Sequence, residues 1–231
     1  MKYSRLIITR HGQSIWNKEN KFTGWSDIEL TSKGILKSHE LSNKLINNNI
    51  INNKIYTSEL IRSIKTSEII KENLLKNTNK NDIDITKSWR LNERNYGILE
   101  GVNRDEACKL YGKENINNIR KKYYYMPYIR NNKAIVDNNI LFNNNIDTII
   151  GESLNMIHKR LYPLWNEYIK NDLLYNNTIL IVSHKNTIRT LMKIIEDLKI
   201  QEVENLDINN SDLIIYNFDK NFNLLDKNLL N

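Results

Sequence analysis

The chain has 231 residues, of which seven are glycine and two are proline, so it is neither collagen-like nor a flexible linker. Hydrophobic residues make up 40% and charged residues 26%, the ordinary balance of a globular protein with its own core. The net charge of +7 favours an anionic partner: nucleic acid, a membrane surface or a phosphorylated metabolite. A single cysteine, Cys108, excludes an internal disulfide and a cysteine-cluster metal site. The sequence shows no signal-peptide layout and no apolar run of membrane-spanning length, which predicts a cytoplasmic protein.

Short β-branched runs alternate with amphipathic patterns along the chain. Strands are predicted at residues 6–9, 54–56, 82–86, 178–183 and 213–218. Helices are predicted after Thr31-Ser32, after Ser58 with Thr57 or Ser58 as the N-cap, over about 152–168, and after Asn186. This alternation predicts an α/β fold, a three-layer α/β/α sandwich with a mainly parallel central sheet. We expect one domain over residues 1–231, in which the polar, Asn-rich residues 120–150 form a lid or loop excursion, hereafter the lid segment.

Two histidines directly follow predicted strands, His11 after residues 6–9 and His184 after residues 178–183. Ligands in open α/β sheets bind beyond the carboxyl ends of the strands. If both strands are central and parallel, the two imidazoles reach the same edge of the sheet. One histidine at the end of a strand is common without any function. Two in the same setting, each followed by polar residues, predict a shared site.

Arginines accompany these histidines. Arg10 directly precedes His11, and Arg62 lies one turn into the helix after Ser58. A guanidinium group binds phosphate oxygens through a rigid fork, and an imidazole can act as a nucleophile toward phosphorus. This combination predicts phosphoryl transfer through a phosphohistidine. The alternative is zinc held by two histidines and a glutamate, which the neighbouring arginines disfavour because they repel a dication.

Several motifs occur in the order known from one enzyme family. They are Arg10-His11-Gly12-Gln13-Ser14, Phe22-Thr23-Gly24-Trp25, Tyr56-Thr57-Ser58-Glu59-Leu60, Arg90-Leu91-Asn92-Glu93-Arg94, Gly151-Glu152-Ser153-Leu154 and Ser183-His184. With them the chain resembles the cofactor-dependent phosphoglycerate mutases. The Arg-His-Gly triplet is common to the wider histidine phosphatase superfamily, whereas the Thr-Gly-Trp and Arg-Leu-Asn-Glu-Arg segments are typical of the mutase branch.

The resemblance implies a metal-independent glycolytic enzyme, a homodimer, that interconverts 3- and 2-phosphoglycerate with 2,3-bisphosphoglycerate as the phosphoryl primer. His11 would carry the phosphoryl group, and Glu93 would exchange a proton with the substrate hydroxyl. Arg10, Arg62 and His184 would line the phosphoryl pocket. Substrate contacts are implied for Asn17, Thr23, Gly24, Tyr96, Arg104, Arg120, Lys121, Lys185 and Asn186.

The chain also departs from this family at several positions. Arg104 replaces the usual lysine, Arg120-Lys121 replaces a pair of arginines, and the lid segment lacks the family's Pro-rich stretch. Residues 209–211 replace a Pro-Thr-Gly turn. A loosened lid segment would admit water, which competes for the phosphoryl group on His11. The alternatives are therefore a phosphatase of phosphomonoesters or phosphoproteins with weak mutase activity, and a catalytically degenerate chain.

Lys185 is the departure nearest the predicted chemistry, because the family has glycine there. If the backbone needs a left-handed conformation, lysine costs about 1 kcal/mol or more. Otherwise its ammonium group adds a cation for phosphate, and the sequence leaves both interpretations open.

The cations and tyrosines of residues 120–125 allow a nucleic-acid interpretation, since tyrosines can stack on bases. We prefer a solvated basic segment. We therefore expect a small phosphorylated substrate, with neither nucleic acid nor membrane as a partner.

Overall fold

The computed structural model describes residues 4–130, 133–137, 148–149, 151–176, 178–210 and 212–230. Within them the strands are β1 (Ser4–Arg10), β2 (Lys54–Thr57), β3 (Asp84–Lys87), β4 (Met126–Arg130), β5 (Lys133–Asp137), β6 (Thr148–Ile149), β7 (Thr178–Ser183), β8 (Leu213–Phe218) and β9 (Leu224–Leu230). The α-helices are α1 (Ile15–Lys18), α2 (Ser32–Asn47), α3 (Ile61–Asn77), α4 (Arg104–Tyr111), α5 (Lys113–Lys121), α6 (Leu154–Pro163), α7 (Lys170–Asn176), α8 (Lys185–Glu196) and α9 (Ile200–Asn205). Short 3₁₀ turns cover Trp89–Leu91 and Gly97–Leu99, and a π-helical stretch covers Leu164–Ile169.

The central sheet has the strand order β3-β2-β7-β1-β8-β9. Strands β3, β2, β7 and β1 run parallel to one another, while β8 pairs antiparallel with β1 and β9 pairs antiparallel with β8. Strands β1 and β7 are therefore central and parallel neighbours. The prediction of an α/β fold with a mainly parallel sheet is confirmed.

Helices cover both faces of this sheet because successive side chains of a buried strand point to opposite faces. In β1, Leu6 and Ile8 belong to a core that includes residues of α6 and α8. Ile7 between them belongs to a second core, shared with α2 and α3. Two packed cores on opposite faces of one sheet give the three-layer sandwich that the sequence predicts.

Element boundaries differ from the sequence prediction in three places. The N-cap of α3 is Leu60, so the assignment of Thr57 or Ser58 as N-cap is wrong. The helix expected over 152–168 is α6, which continues through the π-helical stretch into α7. Helix α8 begins at Lys185, with His184 as its N-cap, rather than after Asn186.

The described part of the lid segment is more regular than the predicted loop. Helix α5 extends to Lys121, and β4 pairs antiparallel with both β5 and β6. Residues 131–132, 138–147 and 150 of the lid segment lie outside the described residues. The organisation of residues 1–231 as a single domain stays a prediction. In the described part of the chain, no helix has the length and apolar character needed to span a membrane.

Candidate active site

The two strand-ending histidines meet at the carboxyl edge of the sheet. Parallel pairing of β1 with β7 sets Arg10 opposite Ser183, so the next residue of each strand is a histidine. The backbone N–H of His11 donates to the Ser183 carbonyl at 3.0 Å. The rings of His11 and His184 lie 4.8 Å apart between centroids, tilted by 56°, and both are buried. The register of two central strands therefore creates the histidine pair.

The loop after His11 is held by a close approach of two backbones. A Cβ atom at Gly34, near the start of α2, would lie 2.2 Å from the Gln13 carbonyl oxygen. A Cβ atom at Gly12 would lie 2.4 Å from the Gly34 carbonyl oxygen. The Gly12 N–H donates to the hydroxyl of Thr66 on α3 at 3.0 Å. Only glycine permits this approach, which fixes the loop against α2 and α3.

His11 is held as a neutral imidazole with a defined tautomer. Its Nδ1 lies 2.6 Å from the Gly12 carbonyl oxygen, which can only accept, so Nδ1 carries the proton and Nε2 keeps its lone pair. Burial lowers the pKa of His11 well below its usual 6.5, and the nearby Arg62 and Arg10 lower it further. A neutral ring with a free Nε2 lone pair is the form that can attack phosphorus.

His184 is also neutral but serves as a donor. Its Nε2 lies 2.8 Å from the Ser58 hydroxyl, which also accepts from the Leu60 N–H at 3.2 Å. We assign the hydroxyl as the donor to Nε2, the arrangement that leaves an N–H on the ring nitrogen without a protein partner. His184 therefore carries its proton on Nδ1, a buried atom without a hydrogen-bond partner among the described residues. Burial lowers the pKa of His184 well below 6.5, with Arg62, His11 and Arg10 adding to the effect. The result is an uncharged N–H group that is free to donate to a ligand.

Arg62 lies in the first turn of α3, and its side chain is held by the backbone turn that contains Gly24 and Ser26. Its two terminal nitrogens donate to the carbonyls of Gly24 at 2.7 Å and Ser26 at 2.9 Å. Gly24 has φ +55°, and the Glu100 carboxylate holds the turn by accepting from the N–H groups of Trp25 and Ser26 at 3.0 Å each. Burial lowers the pKa of Arg62 to about 10, so the group stays cationic at neutral pH.

Unpartnered buried donors gather around the histidine pair. Besides Nδ1 of His184, they are the Nε atoms of Arg10, Arg62 and Arg104 and the hydroxyl of Thr23, none of which has a partner in the described ranges. Buried polar groups without partners are costly and rare in native proteins. Their concentration here marks a site built for a ligand rich in acceptor oxygens.

Glu93 lies between the histidine pair and the start of α8. Its Oε1 accepts from the N–H of Arg94 at 2.8 Å and from the N–H of Asn186 at 3.3 Å. The amide of Asn186 donates to the Tyr96 hydroxyl at 2.9 Å. The Glu93 carbonyl accepts from the indole N–H of Trp25 at 2.6 Å and from the guanidinium of Arg160 at 3.1 Å. This network holds both the backbone and the carboxylate of Glu93.

A cavity of about 380 Å³ opens above these residues. The sequence-predicted residues that line it are Arg10, His11, Asn17, Thr23, Gly24, Arg62, Glu93, Tyr96, Arg104, Arg120, Lys121, Lys185 and Asn186. His184 alone of the predicted set does not line the cavity and is buried beside His11. The motifs, spread over 176 positions from Arg10 to Asn186, thus converge on one site.

Five further lining residues escaped sequence reasoning: Arg189, Glu204, Asn205, Leu206 and Asp207. Arg189 donates to the carbonyls of Val203 at 3.0 Å and Arg120 at 3.3 Å, and to the Asn186 side chain at 3.0 Å. Its place three residues after Asn186, on the same helix face, is a signal that could have found it. Residues 204–207 belong to no recognisable motif.

Lys185 adopts helical backbone geometry as the first residue of α8. Its φ is not positive: in the described part of the chain, the non-glycine residues with positive φ are Asn20, Asn49, Asp197 and Phe222. The interpretation of Lys185 as a source of left-handed strain is therefore wrong. Its ammonium group forms an ion pair with Asp207 at the rim of the cavity.

Metal binding has no support in this geometry. Within the described ranges, no three side chains of the His, Cys, Asp and Glu types lie together as a metal site. The groups that face His11 are instead the cations Arg10 and Arg62.

Comparison with known proteins agrees with the fold and the motifs. A model of the histidine phosphatase superfamily (branch 1) matches residues 6–228. A 2,3-bisphosphoglycerate-dependent phosphoglycerate mutase of Buchnera aphidicola subsp. Schizaphis graminum (strain Sg) is 38% identical over 227 residues, 96% of this chain and 97% of the relative. The mutase of the same name from Staphylococcus haemolyticus (strain JCSC1435) is 34% identical over 226 residues, again 96% and 97% of the two chains. The chain belongs to the histidine phosphatase superfamily and, within it, to the phosphoglycerate mutase family.

Solved structures share the fold at lower identity. A phosphoglycerate mutase from Bacillus anthracis str. Sterne matches with a TM-score of 0.68 and 20% identity, over 95% of this chain and 89% of the other. A mycobacterial glucosyl-3-phosphoglycerate phosphatase matches with a TM-score of 0.73 and 18% identity, over 98% and 97% of the two chains. The fold is thus common to mutases and phosphatases.

Proposed function

We propose that this chain is a 2,3-bisphosphoglycerate-dependent phosphoglycerate mutase, which interconverts 3- and 2-phosphoglycerate through a phosphohistidine at His11. The observation that carries the proposal is the set of buried, unpartnered donors of Arg10, Arg62 and His184 beside a neutral His11. Such donors match the oxygens of a phosphoryl group. Relatives of nearly full length bear the mutase name, which favours this reaction over others of the superfamily.

His11 acts as the nucleophile in this mechanism. Its Nε2 lone pair forms a bond to phosphorus while the bond from phosphorus to the ester oxygen breaks. The Nδ1–H bond to the Gly12 carbonyl keeps the ring oriented and stabilises the positive charge that develops on it. Arg10, Arg62 and the Nδ1–H of His184 stabilise the equatorial oxygens during the transfer.

Glu93 moves the proton that balances each transfer. The protonated carboxyl group gives its proton to the departing alkoxide oxygen, and the carboxylate later takes one from the hydroxyl that receives the phosphoryl group. The N–H groups of Arg94 and Asn186 hold the carboxylate in place during both steps. Phosphoryl transfer in the two directions thus uses one acid/base group.

Cations other than Arg10 and Arg62 suit the second anionic group of the substrate. Arg104 contributes a buried Nε without a partner in the described ranges, its charge interacts with that of Arg120, and Arg120 and Lys121 line the same cavity. Two separate groups of donors fit a doubly phosphorylated primer, and we propose 2,3-bisphosphoglycerate as the cofactor with no metal requirement. When bound, this cofactor would supply the phosphoryl group that loads His11. Asn17, Thr23 and the Gly24 turn complete the wall around it.

The lid segment is proposed to limit water at the site. Arg120 and Lys121 at its start line the cavity, and their carbonyls accept from the buried Arg189. This anchoring fixes the start of the lid segment at the wall of the cavity. A homodimeric assembly and a cytoplasmic location stay predictions from the sequence.

The test follows both the phosphoryl group and the product. Purified protein mixed with 2,3-bisphosphoglycerate should acquire acid-labile phosphate on His11, and His11→Ala should acquire none while remaining folded. With primer and 3-phosphoglycerate, the expected main product is 2-phosphoglycerate.

Two results would overturn the proposal. Predominant release of free phosphate from 3-phosphoglycerate or from generic phosphomonoesters would make the chain a phosphatase. Absence of any label on His11 in the folded protein would exclude both phosphoryl-transfer activities.

A further inference from the structure

The rim of the cavity carries an ion pair that the proposed chemistry does not use. It joins Lys185 at the start of α8 to Asp207 in the loop after α9, and we call it the rim pair. The side chain of Lys185 is 33% exposed and that of Asp207 is 73% exposed. Both residues line the cavity. The pair is therefore a partly exposed part of the cavity lining, whereas His11 and His184 are buried.

Asp207 is an unusual residue for an anion-binding cavity. The hydrogen bond from Lys185 holds the pKa of its carboxyl below the usual value, and Arg10 contributes in the same direction, so the group is ionised at neutral pH. Of the two other lining acids, Glu93 accepts from the N–H groups of Arg94 and Asn186. Glu204 pairs with Lys122 and accepts from the Tyr123 N–H, each at 2.9 Å. Asp207 thus adds an exposed negative charge that would repel an anionic substrate.

Lys185 also differs from the cations that face His11. The Nε atoms of Arg10 and Arg62 are buried and unpartnered within the described residues, whereas the ammonium group of Lys185 is partly exposed and already paired. Lys185 is therefore less suited than these arginines to bind the transferring phosphoryl group directly. Its charge acts at the exposed rim of the cavity that Arg120 and Lys121, the proposed contacts of the second anionic group, also line.

We propose that the rim pair determines specificity: Lys185 neutralises Asp207, and this cancellation allows the cavity to bind substrates with a second anionic group. The identity of that substrate rests on the proposed function, but the effect on anion binding does not. Removal of Lys185 exposes the Asp207 charge and weakens binding of doubly anionic ligands. Removal of Asp207 releases a cation and strengthens it. Removal of both restores near-normal binding, because the net charge of the rim is again zero.

The experiment is a double-variant cycle read by calorimetric binding, which needs no turnover. The probes are 3-phosphoglycerate, with two anionic groups, and inorganic phosphate, with one. One unit charge at a partly solvated rim changes affinity by about fivefold. For 3-phosphoglycerate, Lys185→Met should raise Kd about fivefold, Asp207→Asn should lower it several-fold, and the double variant should lie within about twofold of the wild type. Phosphate affinity should change by less than about twofold in all three.

The chain offers a matched control pair. Lys71 and Asp82 form an ion pair with side chains 27% and 73% exposed, and neither lines the cavity. Lys71→Met and Asp82→Asn carry the same charge changes and should leave both affinities unchanged. Lys185→Arg keeps the charge and should preserve 3-phosphoglycerate binding.

Three results would overturn the inference. First, if the double variant loses its affinity for 3-phosphoglycerate completely, Lys185 contacts the ligand directly. Second, weaker binding of 3-phosphoglycerate by Asp207→Asn would show that Asp207 does not repel it. Third, equal effects on the binding of inorganic phosphate would show that the rim pair does not act on the second anionic group alone. If the protein is an active mutase but its variants do not show the expected changes in Kd, only this inference is wrong. If the variants show these changes but the protein has no mutase activity, only the proposed function is wrong.

Discussion

Replacement of Ser58 by alanine should remove the hydrogen bond that favours one tautomer of His184, and phosphoryl transfer should become slower as a result. In the wild type, the Ser58 hydroxyl accepts from the Leu60 N–H, and we assign it as the donor to Nε2 of His184, which lies 2.8 Å away. This arrangement leaves the proton on Nδ1, a buried atom without a partner in the described ranges. Without the hydroxyl, nothing on this side of the ring requires Nε2 to be the acceptor.

The magnitude follows from one buried hydrogen bond. Such a bond contributes about 0.5–1.5 kcal/mol to stability, so Ser58→Ala should lower the free energy of unfolding by about 1 kcal/mol. The same energy is the upper limit of the bias that Ser58 gives to the two tautomers of His184, because the hydroxyl could also accept from an Nε2–H. Its loss should reduce the population with Nδ1–H by up to about tenfold, and kcat should fall by a similar factor.

The assay is long-range ¹H–¹⁵N correlation spectroscopy of the histidine side chains near pH 7.5, together with urea unfolding and steady-state kinetics. Ser67→Ala is the matched control, because Ser67 is also buried on α3 and donates to the Ser63 carbonyl at 2.9 Å. It should lose stability without any change in the His184 signals or in kcat. A wild-type His184 with its proton on Nε2, or an unchanged tautomer in Ser58→Ala, would refute the reasoning.

Two further predictions concern stability. Burial, together with nearby arginines, holds the pKa of both active-site histidines well below 6.5, so as the pH falls below about 6.5 the unfolded chain binds protons that the folded chain does not. The free energy of unfolding should therefore fall as pH falls in this range, by up to about 1.4 kcal/mol per pH unit for each histidine. In His11→Asn, the free energy of unfolding measured with urea should depend less steeply on pH, by the contribution of one histidine. An unchanged pH dependence would contradict the lowered pKa of His11. The buried Arg160 pairs with Glu152 at 2.8 Å and donates to the Glu93 carbonyl at 3.1 Å. In the same assay, Arg160→Met should lower the free energy of unfolding by about 3–5 kcal/mol, because it leaves the buried acceptors of Glu152 and Glu93 without a donor. A decrease of less than about 1 kcal/mol would argue against this structural role of Arg160.

The elements that the sequence predicts best are those whose burial is nearly uniform. The runs at 178–183 and 213–218 have the bounds of β7 and β8, and residues 6–9 lie within β1. A strand that is buried on both faces has a continuous run of β-branched residues, so its own stretch of sequence is enough to predict it.

The predictions that fail are those in which a distant contact competes with a local preference. Ser58 is a good N-cap residue, yet its hydroxyl bonds to His184, 126 positions away, and the N-cap of α3 is Leu60. Strand β9 escapes prediction because six of its seven residues are exposed. In the described part of the lid segment, β4 pairs with both β5 and β6, and no local sequence pattern predicts this pairing.

Residue types and their order were enough to define the family, the parallel sheet and the set of side chains that converge on the cavity. They could not specify which nitrogen of each histidine holds the proton, which donors lack partners, or that Lys185 pairs with Asp207, 22 positions further on. Protonation depends on burial and on charges brought close by folding, and partners depend on geometry between segments far apart in the chain. The tertiary structure therefore decides the chemistry at His11, while the sequence decides that a histidine is there.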